Sequence, residues 1–175
     1  DLVWAVDSGH SFALNNLSVI ANQTNDPKAA LELAERTLAL KPDYAEAHCN
    51  KANALAELGR LDEAVAGYGQ ALALKPGYAE AHNNKGNTLR KLEWLEEAAE
   101  AFARALAVNP DFYQARANLA DLKLQQGEPA AALELCESAL ARKPGDTTVL
   151  ALKGVVLWDL GDAEEARRLV DFDRF

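Results

Sequence analysis

Residues 45–78 read AEAHCNKANALAELGRLDEAVAGYGQALALKPGY, and residues 79–112 read AEAHNNKGNTLRKLEWLEEAAEAFARALAVNPDF; a step of 34 aligns them without a gap. Proline falls near the end of each, and the same step extends the ladder to Pro42, Pro76, Pro110 and Pro144. Two further columns keep the period: Ala30, Ala64, Ala98, Ala132 and Ala166, then Leu38, Leu72, Leu106 and Leu140. A fourth is polar, Asn16, Asn50, Asn84 and Asn118. Small, apolar and chain-breaking columns are what a repeated packing unit needs, and a fixed period of roughly 20–50 residues marks a stack of such units. The asparagine column is the one that carries functional content.

Each unit reads as two helices. In residues 45–58, Ala45, Cys49, Ala52, Leu55 and Leu58 recur at steps of three and four, which places them on one helix face. Gly59 stops that helix. The next begins near Leu61, with Ala64, Tyr68, Ala71 and Leu72 along its buried stripe, and ends at Lys75 and Pro76. Asp62/Glu63, Glu96/Glu97 and Glu164/Glu165 open second helices, where the dipole favours acid, and Lys41, Lys75 and Lys143 stand at closing ends, where it favours base. Because the acid pair recurs from unit to unit, it reads as helix electrostatics rather than as an acid–base couple. Pro27 and Pro129 open second helices at a place where the missing N–H is not needed. Small residues (Ala52, Gly86, Ala120 and Gly154 on first helices, Ala64, Ala98 and Ala132 on second) let two backbones approach closely.

Repeating the step divides the chain into units 11–44, 45–78, 79–112, 113–146 and a partial 147–175, preceded by residues 1–10 as a leader or the remnant of an earlier helix. Alanine and leucine supply much of the 49% hydrophobic content, while valine, isoleucine and the aromatics are scarce, so the fold class is all-α. A net charge of -9 excludes a role built on neutralising phosphates, and nucleic acid is not an expected partner. No apolar run reaches the roughly 18 residues that span a bilayer. Cys49 and Cys136 lie in different repeats, which argues against a structural disulfide and for a reducing, cytoplasmic compartment. A chain without methionine that opens on Asp1 reads as one whose gene product starts further upstream.

These units resemble the tetratricopeptide repeat family, a 34-residue helix-turn-helix reading W-x2-L-G-x2-Y, then A-x3-F, then P. Here His82-x2-Lys85-Gly86-x2-Leu89, Ala98-x3-Phe102 and Pro110 match in spacing and in most residue classes, as do His48-x2-Lys51-Ala52-x2-Leu55, Ala64-x3-Tyr68 and Pro76. Histidine or leucine stands for the family's tryptophan, Lys123 for an apolar residue in the fourth unit, Glu93 for the inter-helix glycine in the third and Cys136 for the aromatic. The resemblance implies a right-handed α-solenoid, a superhelix of antiparallel helix pairs whose first helices line a concave groove that binds extended peptides.

On that groove the resemblance places Asn15, Asn16, Asn22, Asn50, Asn53, Asn83, Asn84, Asn87, Asn118 and Asp121. An amide donates and accepts together, so a column of them can bond a peptide's N–H and C=O without regard to its sequence; the groove of O-linked N-acetylglucosamine transferase is similar in this respect. The same column can also bond neighbouring first helices to each other, and both readings stand. Another groove of the family holds C-terminal carboxylates with Lys and Arg; the matching places here are Glu46, Cys49, Glu80, Asn83 and Gln114, which lack the cations. Glu46, Glu80 and Asp121 favour a basic or neutral segment instead, and Leu124, Ala151, Val155 and Trp158 make the far end apolar.

The expected function is therefore a non-catalytic protein–protein interaction module that binds an extended peptide through Asn16, Asn50, Asn53, Asn84, Asn87, Asn118 and Asp121, with Glu46, Glu80 and Trp158 adding specificity. Two alternatives accompany it. One is the docking or substrate-recruiting region of a larger enzyme, such as a glycosyltransferase or an iron- and 2-oxoglutarate-dependent oxygenase, since residues 169–175 resemble the junction between repeats and a catalytic domain in such proteins. The other is a self-assembling array that associates through its repeat ends. No cofactor or metal is expected: His48 and His82 are one repeat apart and read as packing residues in the tryptophan column, and Cys136 reads as inert core.

Overall fold

The computed structural model describes residues 2–170, with side chains from Gly9 to Leu169. Among the described residues every regular element is an α-helix: α1 Leu2–Gln23, α2 Pro27–Leu40, α3 Ala45–Glu57, α4 Leu61–Leu74, α5 Ala79–Lys91, α6 Leu95–Val108, α7 Tyr113–Gln125, α8 Pro129–Leu140, α9 Thr147–Asp159 and α10 Ala163–Val170. The fold is an all-α solenoid of antiparallel helix pairs. First helices start at residues 45, 79, 113 and 147, the 34-residue step of the sequence. The chain forms two compact units, α1–α5 and α6–α10, divided between Trp94 and Leu95. In the first, each helix packs on the next and α3 also touches α1 and α5; in the second the same holds, with α7 also touching α9.

From Leu2 onward, the residues set apart as a leader are continuous with the first helix, which runs unbroken through Ser8 and Gly9. The tail read at residues 169–175 lies, apart from Leu169 and the backbone of Val170, outside the described residues.

The corners inside the pairs share one backbone device. Asn25, Gly59, Glu93, Gly127 and Gly161, one period apart, all have positive φ, between 59° and 86°. Glycine enters that region freely, whereas an L side chain there costs about 1–2 kcal/mol. Glu93, at φ 63°, adopts at its corner the conformation that glycine takes at three of the others.

The corners between pairs are clamped from the following helix. His48 Nε2 lies 2.8 Å from the Pro42 carbonyl oxygen, His82 Nε2 lies 3.0 Å from that of Pro76, and Arg116 donates from Nη2 to that of Pro110 at 2.6 Å. A carbonyl only accepts, so each imidazole carries its proton on Nε2. The histidines are thus corner ties as well as packing residues. The lysines differ from expectation: α2, α4 and α8 have no base in their last turn, and Lys41 and Lys75 sit one residue beyond, as C-caps. The ammonium groups of Lys41, Lys75 and Lys143 rest 4.6, 4.6 and 4.7 Å from the ring centres of Tyr44, Tyr78 and Tyr113, where the negative ring face attracts them. The acidic pairs do occupy first turns, and Asp26 caps α2 by accepting from Ala29 N at 3.1 Å.

The core follows the small columns. Ala30, Ala64, Ala98 and Ala132 are fully buried and Ala166 nearly so, with Tyr68, Phe102 and Cys136 filling the space beside them. The approach of α3 to α4 is so close that a Cβ added to Gly67 would lie 3.0 Å from Ala52 Cβ. Side chains that interdigitate at this density hold α3 still, and α3 carries most of the site described next.

Candidate functional site

In the first unit three first helices, α1, α3 and α5, turn a polar face toward one cavity of about 280 Å³. Helix α1 contributes Asn15, Val19, Asn22 and Gln23; α3 contributes Glu46, Cys49, Asn50 and Asn53; Tyr78, the residue before α5, joins Glu80 and Asn84 from that helix. The residues of α3 meet there because 46, 49, 50 and 53 share one side of a helix with 3.6 residues per turn.

Part of the asparagine column holds the helices to one another. Asn50 Nδ2 donates to Asn15 Oδ1 at 2.9 Å, and the Asn50 carbonyl accepts from Asn22 Nδ2 at 3.2 Å, tying α3 to α1. Asn84 Nδ2 donates to Asn53 Oδ1 at 3.1 Å, tying α5 to α3, and that same oxygen accepts from Tyr68 Oη at 2.7 Å. Asn83 Nδ2 donates to Asn84 Oδ1 at 3.3 Å. What remains on the cavity both donates and accepts: Asn22 Oδ1 is buried with no partner, and Asn15, Asn50 and Asn53 use one of their two amide atoms each, leaving Asn15 Nδ2, Asn50 Oδ1 and Asn53 Nδ2 open beside the Gln23 amide.

The charges on the rim are unequal. Glu46 pairs with Lys75 at 2.7 Å, and this hydrogen bond holds its carboxyl below the usual carboxylate range. Glu80 is exposed and has no ion pair among the described residues. Burial pushes the Cys49 thiol up to about 12 and raises the Tyr78 hydroxyl as well, so both are neutral near pH 7 and the thiol is a poor nucleophile. The cavity therefore presents amide acceptors and amide donors together, with a carboxylate, Glu80, that has no ion pair among the described residues.

Of the residues read from sequence, Glu46, Asn50, Asn53, Glu80 and Asn84 line this cavity. Asn16 does not; it is exposed on α1, and its neighbour Asn15 takes the inward place. Asn87 is half-buried on α5 and stands off the cavity. Asn118 and Asp121 are half-buried on α7 in the second unit, where Asp121 Oδ2 accepts from Gln125 Nε2 at 3.2 Å. Trp158 also lies in the second unit: with Gly154, Val155, Ala166 and Arg167 it lines a separate apolar cavity of about 280 Å³, which Leu124 and Ala151 do not reach. Tyr78 was not singled out from sequence as a cavity residue; its signal is that Tyr44 stands one period earlier.

Among the described residues, no three or more His, Cys, Asp or Glu gather where a metal ion would be held, and no helix is long and apolar enough to cross a membrane. A solenoid of helix pairs with a polar groove between first helices defines a class, the repeat modules of protein–protein interaction. Tetratricopeptide repeat families match residues 13–41, 33–66, 83–147 and 124–171, and a TPR repeat family matches 52–93. The chain belongs to the tetratricopeptide repeat family and is an interaction module of that kind.

Solved structures agree on the fold. The chain superposes on PilF of Pseudomonas aeruginosa with a TM-score of 0.87 at 24% identity, covering 94% of this chain and 75% of that one. For MamA of Desulfovibrio magneticus RS-1 the TM-score is 0.80 at 20% identity, covering 92% and 91%. For YrrB, described as a TPR protein with an unusual peptide-binding site, it is 0.73 at 22% identity, covering 90% and 81%. At these identities the likeness is one of fold. A sequence search of curated proteins finds no match.

Proposed function

We propose that the groove of the first unit binds an extended peptide segment that carries a basic side chain. The observation behind this reading is the buried and unpartnered Asn22 Oδ1 in a cavity that Glu80 also lines. An unmet buried acceptor costs about 1–3 kcal/mol, which a ligand N–H recovers on binding. A guanidinium offers five donors and an ammonium three, enough to reach Asn22 Oδ1 or Asn50 Oδ1 together with the unpaired Glu80. Asn53 Nδ2 and Asn15 Nδ2 are donors left for peptide carbonyls. Glu46 adds little attraction of its own, since Lys75 already neutralises it. The peptide-binding site described for YrrB is consistent with a ligand of this class in such a repeat.

Fluorescence anisotropy with labelled decapeptides tests this, using a pool with a fixed central arginine and randomised flanks against the same pool with citrulline. The arginine pool should bind more tightly, and Glu80→Gln should weaken it about tenfold, equivalent to about 1.4 kcal/mol, while changing citrulline binding little. Asn53→Ala should weaken both. Equal binding of the two pools, or no effect of Glu80→Gln, overturns the proposal.

A further inference from the structure

Residues 45–48 and 79–82 are the same four, Ala-Glu-Ala-His, so Glu46 and Glu80 hold one place in successive repeats, and both line the groove cavity. Their charges are used differently. The residue 29 positions after Glu46 is Lys75, whose ammonium lies 2.7 Å from the Glu46 carboxylate. The same step from Glu80 leads to Asn109, which carries no charge. One carboxylate is thus occupied by a cation of its own chain, while the other has no ion pair among the described residues.

Lys75 also rests over the ring of Tyr78, 4.6 Å from its centre, and Tyr78 lines the cavity beside Glu46. A carboxylate and the negative face of an aromatic ring together hold a cation, and Lys75 is a cation held there. The combination is particular to this repeat. Lys41 lies over Tyr44 in the same way, but Phe12 stands at the place of Glu46 in that unit, and Gln114 stands there in the unit that ends with Lys143. The hold on Lys75 is weak: its side chain is 48% exposed and that of Glu46 38%. An ion pair so open to water is among the weakest in proteins, and another cation can take its place.

The two glutamates are spaced for one extended ligand. Helices α3 and α5 touch directly, and packed helices lie about 8–10 Å apart, axis to axis. An extended chain advances about 3.3 Å per residue and turns alternate side chains to the same side, so basic residues separated by one other stand about 6.6 Å apart along it. Their long side chains cover the remainder.

We propose that the Glu46 carboxylate and the Tyr78 ring form a second cation seat in the groove, that Lys75 fills it in the absence of ligand, and that the ligand is an extended segment with two basic side chains two residues apart, one at Glu80 and one displacing Lys75. The seat at Glu80 rests on the peptide reading given above; the seat at Glu46 stands on its own residues. Lys75 is then a specificity-determining residue, because any second cation must compete with it.

Fluorescence anisotropy with three decapeptide pools tests this, their centres being Arg-x-Arg, Arg-x-citrulline and citrulline-x-citrulline with randomised flanks. Lys75→Met keeps the stem and drops the charge, and it should bind the Arg-x-Arg pool about fivefold more tightly than wild type does, the scale of an exposed ion pair. The Arg-x-citrulline pool, whose one cation already sits at Glu80, should gain less than about twofold, and the citrulline pool nothing. Adding Glu46→Gln to Lys75→Met should remove the gain. Lys51→Met, which takes a charge from the side of α3 that faces Glu35, should bind all three pools as wild type does. The exposure of Lys75 keeps helical content and melting of its variant close to wild type. No gain for Arg-x-Arg, a gain that survives Glu46→Gln, or the same gain in Lys51→Met overturns the seat at Glu46. A single-arginine gain as large as the double overturns the two-cation ligand through the other seat, since the one cation would then settle at Glu46 and not at Glu80.

Discussion

Asn50 and Asn53 of the second repeat and Leu152 and Val155 of the fifth stand at the same places of the 34-residue unit. The first pair joins helices by amide hydrogen bonds and leaves acceptors on a polar cavity; near the second, Val155 opens onto an apolar cavity. The helices beneath are built alike: α3 and α9 have 13 residues each, each followed by a corner glycine of positive φ, Gly59 and Gly161. The lesson is that the packing columns carry the fold and leave the groove columns free to vary. One scaffold can therefore offer two kinds of contact.

The strongest way to break this comparison is from below. Tyr68 is buried under the polar cavity and bonds Asn53. Tyr68→Ala should lower unfolding free energy by about 3–5 kcal/mol in a denaturant titration, the cost of a large void in a tight core. A loss under about 1 kcal/mol would mean that the site does not rest on that ring. A smaller effect is expected at the start of α9, where Asp146 accepts from Thr148 N and Val149 N, both at 3.1 Å, and pairs with Lys143 at 3.0 Å. Asp146→Ala should cost about 0.5–2 kcal/mol.

That second loss should depend on pH. The Lys143 hydrogen bond, followed by the backbone N–H of Val149, holds the Asp146 carboxyl below its ordinary value. A depressed folded value contributes stability that is present above the unfolded value, about 4, and lost as pH falls through the folded one. The gap between wild type and Asp146→Ala should therefore be full at pH 6 and shrink below about pH 4, as thermal melts across that range will show. Constancy of the gap would remove the ionised carboxylate from the account. The smallest effect sharpens the likeness between repeats: Glu93→Gly relieves the side-chain strain at φ 63° against the chain entropy of glycine, for a gain of about 0.5–1 kcal/mol in melting experiments. A lower melting temperature instead would show that the Glu93 side chain contributes more than its backbone strain costs.

Much of this was legible in the chain. The proline and alanine columns place the helix pairs because a proline after a helix and a small residue at a crossing act locally, and local effects repeat with the sequence. Glu46, Asn50, Asn53, Glu80 and Asn84, which the family resemblance placed on the groove, line the cavity. Asn16 does not: the register of 34 points to it, but α1 turns Asn15 inward instead. The histidines His48 and His82 were legible as a column, while their bonds to Pro42 and Pro76 depend on how the corner folds back over the helix.

By itself, then, the sequence determined the all-helical repeat, its period, and the polar and apolar columns of its faces, because each follows from residue type and spacing along a single helix. Only the tertiary structure decided which amides are spent. Whether Asn84 turns its donor to a ligand or to Asn53, and whether Asn22 Oδ1 is left without a partner, depends on distances of about 3 Å between side chains on different helices. Residue spacing sets the face on which an amide lies; packing sets the atom across from it.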